Sequence, residues 1–442
     1  MITGPLAERA RRTARLITSR LADPAHVVAS VSASIEDPNT PGPRRASSLL
    51  AGDAGLALLL RMASDADPEA GWQRAAHQRL VSAVRSTHDT PLAEYGVVAG
   101  SAGLALVLAE FATGDQRYQG SLDGLHTRLS EQLSERGLLR GAGSRTSVAA
   151  YDALQGAAGT LGYLVSVPAP DAVLRDRVHG LVDELVELCT PAGGLRTPGA
   201  TEPEPRWVIP PEDYPLPRDL EEYPYGYINL GLAHGVPGPL AALSLAWRAD
   251  YRRPGMREAI GNAIDLLSSA AVEDAFGVDW PSGIALDADG RRTPARHTAR
   301  TAWCYGAPGI AAALLVAADA LEDERLRAYA VAAFEAALRR SEDHLHLLSP
   351  TICHGLAGLL AICEVFARTT DSAHARAALP VLTERLLASC DEGLAFGVQN
   401  REKPGLVIDN PDFLCGAAGV AAALWSVSSP VSRRWQRSLL IA

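Results

Sequence analysis

Cys304, Cys353 and His354 carry the most readable chemistry in this chain. Thiolate sulfur and imidazole nitrogen are the donors zinc prefers, and three protein ligands with a fourth position open is the pattern of a catalytic centre. Cys304 stands in R-T-A-W-C-Y-G-A-P-G-I (Arg300 to Ile310), and Cys353 with His354 in T-I-C-H-G-L-A-G (Thr351 to Gly358). In both stretches a cysteine comes just ahead of a Gly-x-x-Gly step that opens an apolar run, which places all three side chains at helix mouths. They do not form a Cys-x-x-Cys pair. Spacing alone therefore leaves a second reading level with the first, in which each cysteine is a small buried hydrophobe and His354 a helix cap.

The elements that must position these side chains recur along the chain. L-L-A-G-D-A-G-L-A-L-L-L at Leu49 to Leu60 returns as V-V-A-G-S-A-G-L-A-L-V-L (Val97 to Leu108), A-L-Q-G-A-A-G-T-L-G-Y-L (Ala153 to Leu164) and L-A-H-G-V-P-G-P-L-A-A-L (Leu232 to Leu243). Three further copies start at Cys304, Cys353 and Leu414, making seven. Between them run amphipathic segments such as Asp171 to Leu188, Met256 to Ala271, Glu322 to Leu338 and Ala373 to Ala388, with apolar residues at helical spacing. Each repeat thus reads as a small-residue inner helix followed by an amphipathic outer one. Units that cannot bury their apolar face alone must stack, and a ring of seven leaves no open end. The expectation is an all-α fold, a double-layered α/α barrel spanning residues 1–442 as a single domain.

The glycines permit close approach and tight turns at one end of the array. Helix starts there carry N–H groups and partial positive charge that favour a nearby anion. The polar residues just ahead of the glycines then hold the chemical information: Asp152, His234, Cys304, Cys353 and His354. As plain structure, Asp152 would be a helix-dipole partner and His234 a cap, while Arg300 would pair with an outer-helix acid.

With 47% hydrophobic and 21% charged residues the 442-residue chain can bury a large core. A net charge of −10 argues against a nucleic-acid surface, and the basic helix around Arg9 to Arg20 reads as a solvated face. The amino terminus lacks the pattern of a secretion signal, and the longest apolar run, Gly309 to Ala318, is too short to span a bilayer. A cytoplasmic protein is expected, with free thiols at its six cysteines. Cys189, Cys363 and Cys390 read as core; Cys415, at the mouth of the seventh repeat, lacks a neighbouring ligand. A helix is expected over Leu6 to Leu21 and a Pro-rich link at Asp37 to Pro43. Residues 190–229, rich in Pro and holding Trp207, Tyr214, Tyr223, Tyr225 and Tyr227, read as a short β-containing insert: a substrate-facing wall or a stiffened surface excursion. Phe396 to Phe413 is a smaller segment of the same kind.

N-L-G-L-A-H-G-V-P-G (Asn229 to Gly238), W-C-Y-G-A-P-G (Trp303 to Gly309) and C-H-G-L-A-G (Cys353 to Gly358), in this order within a seven-fold Gly-x-x-Gly pattern, resemble the signature motifs of the LanC-type lanthionine synthetases. The resemblance covers nearly the whole chain. It implies an α/α toroid with a Zn2+ ion on Cys304, Cys353 and His354, which closes thioether rings in a dehydrated precursor peptide. It also implies catalytic roles for His234, for Asp152 in Y-D-A-L-Q-G, and for Arg300 and Tyr305. The Asp152 match is the loosest, and residues 190–229 are short for the β domain that the family can carry.

The implied chemistry suits these residue types. Adding a cysteine thiol to dehydroalanine or dehydrobutyrine needs a thiolate near neutral pH, which a zinc ion provides. The enolate formed by attack must be protonated at its α-carbon by a general acid such as His234, with Asp152 holding the ring and Arg300 stabilising the charge. Dehydration would come from a separate dehydratase, because the repeats take up the length and no Gly-rich phosphate loop is present. The expected partners are thus a precursor peptide of leader and core, that dehydratase, and an export transporter, with attachment to the membrane through such a complex. Two other classes fit a toroid of this kind: a zinc protein that binds glutathione or peptide thiols without cyclising them, and a prenyltransferase. Aromatic content of 5% argues against the lipid cavity of the latter.

Overall fold

The computed structural model describes residues 1–32, 44–135, 147–191, 205–214, 219–294, 297–342, 349–403 and 405–442. The expected link at Asp37 to Pro43 and much of 190–229 lie outside them. Each Gly-x-x-Gly step opens an inner helix, giving Asp53–Ala66, Ser101–Ala112, Ala157–Leu164, Pro237–Arg248, Ala307–Leu321, Leu356–Thr369 and Ala417–Ser428. Nearly every residue of these helices is buried, as their all-round apolar composition requires. Outer helices follow six of them: Trp72–Asp89, Gln119–Glu135, Ala172–Cys189, Met256–Ala270, Glu324–Ser341 and Ala373–Ala388.

The chain divides into two compact units, Met1–Leu125 with Ser341–Gln436 and His126–Arg340 with Arg437–Ala442. In the first unit the inner helix Asp53–Ala66 packs against those of repeats two and seven, and the sixth packs on the seventh. Among the described residues no outer helix follows the seventh inner one. The amino-terminal helix Gly4–Ala22 takes that place, presenting Ala7, Ala10, Ala14, Ile17 and Leu21 at helical spacing. Full burial of Ile17 and Leu21 contributes about 1.5–3 kcal/mol each in gross terms. Trp425 Nε1 donates to Thr18 Oγ1 across this contact (3.1 Å). The arginines of the helix's outer face do more than face solvent: Arg9 pairs with Glu384 (2.9 Å) and Arg11 donates to the carbonyl of Ser428 (2.9 Å).

Within the second unit the fourth inner helix packs between the third and fifth. The insert adds a three-stranded antiparallel sheet, with Tyr227–Asn229 central between Val208–Ile209 and Gly283–Ala285. Asn229 lies opposite Gly283 at its end. The segment before the seventh repeat likewise forms a two-stranded hairpin, Asn400–Lys403 with Leu406–Ile408.

The glycines have a more local reason than convergence of helices alone. In repeats one, two, six and seven the preceding loop folds back over the first helical turn, and its carbonyls accept the N–H bonds that a helix start leaves open. Ser101, Ala102 and Gly103 donate to Glu94, Tyr95 and Gly96, and Leu356, Ala357 and Gly358 to Ser349, Pro350 and Thr351. These helix starts therefore do not offer their N–H groups to a ligand, contrary to the expectation from sequence. A Cβ at the second glycine of those repeats, Gly55, Gly103, Gly358 or Gly419, would fall on a carbonyl oxygen of the folded-back loop. The same loops bond to one another through their peptides. Cys353 N–H donates to Leu414 O, Leu414 to Leu50 and Leu50 to Val98 in the first unit (3.0, 3.1 and 3.4 Å); Ala153 donates to Ala233 and Ala233 to Cys304 in the second (3.1 and 3.3 Å).

Candidate active site

Asp152 and His234 meet at the mouths of the third and fourth repeats. Asp152 ends the short helix Val148–Tyr151 in extended backbone, and its Oδ1 accepts the N–H groups of Leu154, Gln155 and Gly156 at 3.0, 2.6 and 2.9 Å. Three donors on one oxygen fix the carboxylate and leave Oδ2 to receive His234 Nδ1 at 2.7 Å. A carboxylate with this inventory accepts only, so Nδ1 carries a proton and Nε2 is the nitrogen left for another partner. Asp152 is almost completely buried while the His234 side chain is 35% exposed, the arrangement of an anchored orienter and an accessible acid. Tyr151 adds a hydrogen bond from its hydroxyl to the His234 carbonyl (3.2 Å).

Tyr305 stands beside this pair, its ring centroid 6.5 Å from that of His234. The next residue, Gly306, has φ +100°, a backbone that side chains resist, and a Cβ there would fall on the Arg300 carbonyl. Tyr305 Oη accepts from Asn229 Nδ2 at 3.0 Å. Burial pushes the Tyr305 phenol above its ordinary range, as it does for Tyr227, raised to about 12.

Cys304, Cys353 and His354 come together. Their ligand atoms all lie within 4.8 Å of one another, the one such His/Cys/acid group among the described residues. Two sulfurs and one imidazole nitrogen are a donor set that fits zinc. The cysteines outside the group differ in kind, for burial raises the thiols of Cys189, Cys363 and Cys390 to about 12 and keeps them protonated near neutral pH. Cys415 is buried at the seventh mouth and does not join the group.

The family model for the lanthionine synthetase C-like proteins matches residues 44–440. The chain belongs to that family. It is 26% identical over 327 residues to the nisin biosynthesis protein NisC of Lactococcus lactis subsp. lactis, covering 73% of this chain and 74% of that one. The solved structure of a nisin cyclase superposes with a TM-score of 0.76 at 22% identity, over 90% of this chain and 93% of the other. The fold is the α/α toroid of these proteins, as the seven repeats implied.

Of the residues singled out from the sequence of this LanC-like chain, Asp152, His234 and Tyr305 are neighbours and the three candidate ligands form their own cluster. Arg300 differs. Its side chain is exposed, and its carbonyl packs at Gly306 and accepts from Ala302 N–H (3.0 Å). Sequence reasoning missed Asn229 and Tyr151. Both lie beside recognised residues, Asn229 opening the N-L-G-L-A-H-G stretch and Tyr151 preceding Asp152, but nothing in their types announces a role. Among the insert's aromatics Trp207, Tyr223 and Tyr227 are buried, and the two tyrosines stack at 4.3 Å and pack with Val148 and Ile209, next to the Asp152 loop. Tyr225, by contrast, is exposed.

Proposed function

We propose that this LanC-like protein is a zinc-dependent lanthipeptide cyclase, acting as a single catalytic domain on a precursor peptide whose Ser and Thr residues a separate dehydratase has already dehydrated. The observation that carries the proposal is the gathering of Cys304, Cys353 and His354 into one donor set in a chain of this family. A zinc ion held by these three side chains would supply the deprotonation of an incoming peptide thiol near neutral pH. The protein's own groups serve the addition itself. The peptide sulfur bonds to the β-carbon of dehydroalanine or dehydrobutyrine, the double-bond pair moves onto the carbonyl as an enolate, and the α-carbon takes a proton from Nε2 of His234, which acts as the imidazolium and is restored by the proton that the thiol releases. One proton leaves the thiol and one reaches carbon, so the product has the mass of the substrate. Asp152 keeps Nδ1 occupied and thereby aims Nε2 outward. Tyr305 and Arg300 are the groups proposed to meet developing charge on the carbonyl.

No helix among the described residues is long and apolar enough to cross a membrane. We propose a cytoplasmic enzyme that reaches the membrane only through a complex with the dehydratase and an export transporter. The second reading, a toroid that binds glutathione or peptide thiols without joining them, leaves the built Asp152–His234 pair without a task.

Thiol alkylation tests the reading. Dehydrated precursor peptide incubated with the protein should lose alkylatable cysteines at unchanged mass, and its Ser/Thr counterpart should keep them all. If the dehydrated peptide retains its thiols beyond the uncatalysed background, the cyclase assignment fails and the binding reading takes its place.

A further inference from the structure

Asn229 lies on the end of the central sheet strand and is 1% exposed, yet its amide is fully engaged. Oδ1 accepts the N–H of Gly231 at 2.9 Å, so the amide orientation is set by the backbone: the oxygen faces Gly231 and the nitrogen faces away. Nδ2 then donates to two phenol oxygens, Tyr305 at 3.0 Å and Tyr227 at 3.3 Å. An amide NH2 has two protons and can serve both. Each phenol receives its hydrogen bond at oxygen and must direct its own O–H elsewhere.

Packing selects the same arrangement. Tyr227 is held by stacking on Tyr223 and by Gly283 of the neighbouring strand, where a Cβ would come within 2.8 Å of the Tyr227 ring. Tyr305 lies flat against Gly231, where a Cβ would come within 2.6 Å of two ring carbons. A buried amide that orders two tyrosine hydroxyls, one of them next to His234, is costly to bury and unnecessary for a helix-mouth turn, which needs only Oδ1.

We infer that Asn229 is a positioning residue: by donating to the Tyr305 oxygen it turns the Tyr305 O–H away from the protein and toward the substrate carbonyl at the His234 face of the site. This rests on the cyclase reading. Tyr305 is then the group that donates to the forming enolate oxygen, with Asn229 setting the direction of that donation. In Asn229→Asp one carboxylate oxygen keeps the Gly231 bond, and the other accepts from a tyrosine O–H and so reverses the Tyr305 proton in a nearly isosteric side chain.

A double-mutant cycle on the zinc-loaded protein and a dehydrated peptide tests this. Asn229→Asp should lower kcat about tenfold, the scale of one hydrogen bond in the transition state, with KM and zinc content unchanged. In a Tyr305→Phe background the same change should cost less than about twofold, because the hydroxyl it acts through is gone. Equal losses in both backgrounds, or wild-type kcat in Tyr305→Phe, would overturn the inference while leaving cyclisation by the wild-type protein intact; absence of cyclisation by the wild type is the separate failure of the cyclase reading. Asn229→Ala provides the cycle if Asn229→Asp does not fold by far-UV circular dichroism, and failure of both to fold would assign Asn229 to the fold alone.

Discussion

The mouths of repeats one and two can be set beside those of repeats four, five and six. The first pair reads Leu50-Ala51-Gly52 and Val98-Ala99-Gly100; the others read Ala233-His234-Gly235, Cys304-Tyr305-Gly306 and Cys353-His354-Gly355. The main chain performs one task in both groups. Leu50, Val98, Ala233, Cys304 and Cys353 all join the peptide hydrogen bonds that link neighbouring loops, whatever their side chains. Because that position is recognised through its N–H and C=O, a cysteine can replace a leucine there without disturbing the turn. The position after it is equally indifferent to side chain, holding alanine in the first two repeats and His234, Tyr305 and His354 in the others. A repeat selected for packing thus provides paired sites at which chemistry can be installed by substitution alone.

Removing the proposed metal-binding set should have the largest effect. Cys304→Ala is expected to lose zinc, read by elemental analysis against a wild type expected to hold one ion per chain, and to reduce cyclisation to the uncatalysed background. Its far-UV circular dichroism should stay that of wild type, since the peptide bonds at position 304 survive and the packed repeats supply the stability. Full zinc occupancy in the variant would remove Cys304 from the ligand set.

A smaller loss is expected from the Asp152–His234 pair, the proposed proton donor and its anchor. His234→Ala should retain zinc and lower kcat by about 10²- to 10⁴-fold, the usual contribution of a positioned general acid. Asp152→Asn should cost less if Oδ2 only orients the ring, because three backbone N–H groups still hold the side chain through Oδ1. Wild-type rates in single-turnover assays of His234→Ala would transfer the acid to another group.

The smallest effects separate the shared frame from its variable positions. Gly103→Ala places a methyl on the folded-back loop and should destabilise by about 1–3 kcal/mol in urea titration. Gly120→Ala, on an outer helix with open space around the new methyl, should stabilise by about 0.5–1 kcal/mol. Equal responses at the two sites would mean that inner-helix glycines have no special packing role.

The sequence by itself determined much of this protein: seven inner helices, most of the outer ones, the toroid implied by their repetition, and the residues at each helix mouth. These were legible because periodic burial imposes a periodic pattern, and because cysteine and histidine at repeat mouths stand out against a background of alanine, leucine and glycine. Tertiary structure alone decided how those mouths are built and oriented. That the amino-terminal helix Gly4–Ala22 supplies the outer partner of the seventh repeat depends on a contact across almost the whole chain. That the helix starts of repeats one, two, six and seven are closed by their own loops, rather than open to an anion, depends on backbone carbonyls, which carry no residue-type signal. The roles of Asn229 and Tyr151 were hidden for a related reason. An asparagine before a glycine turn and a tyrosine at the end of a short helix have ordinary local explanations, and only the folded chain brings the first to Tyr305, 76 residues away, and the second to the His234 carbonyl, 83 residues away.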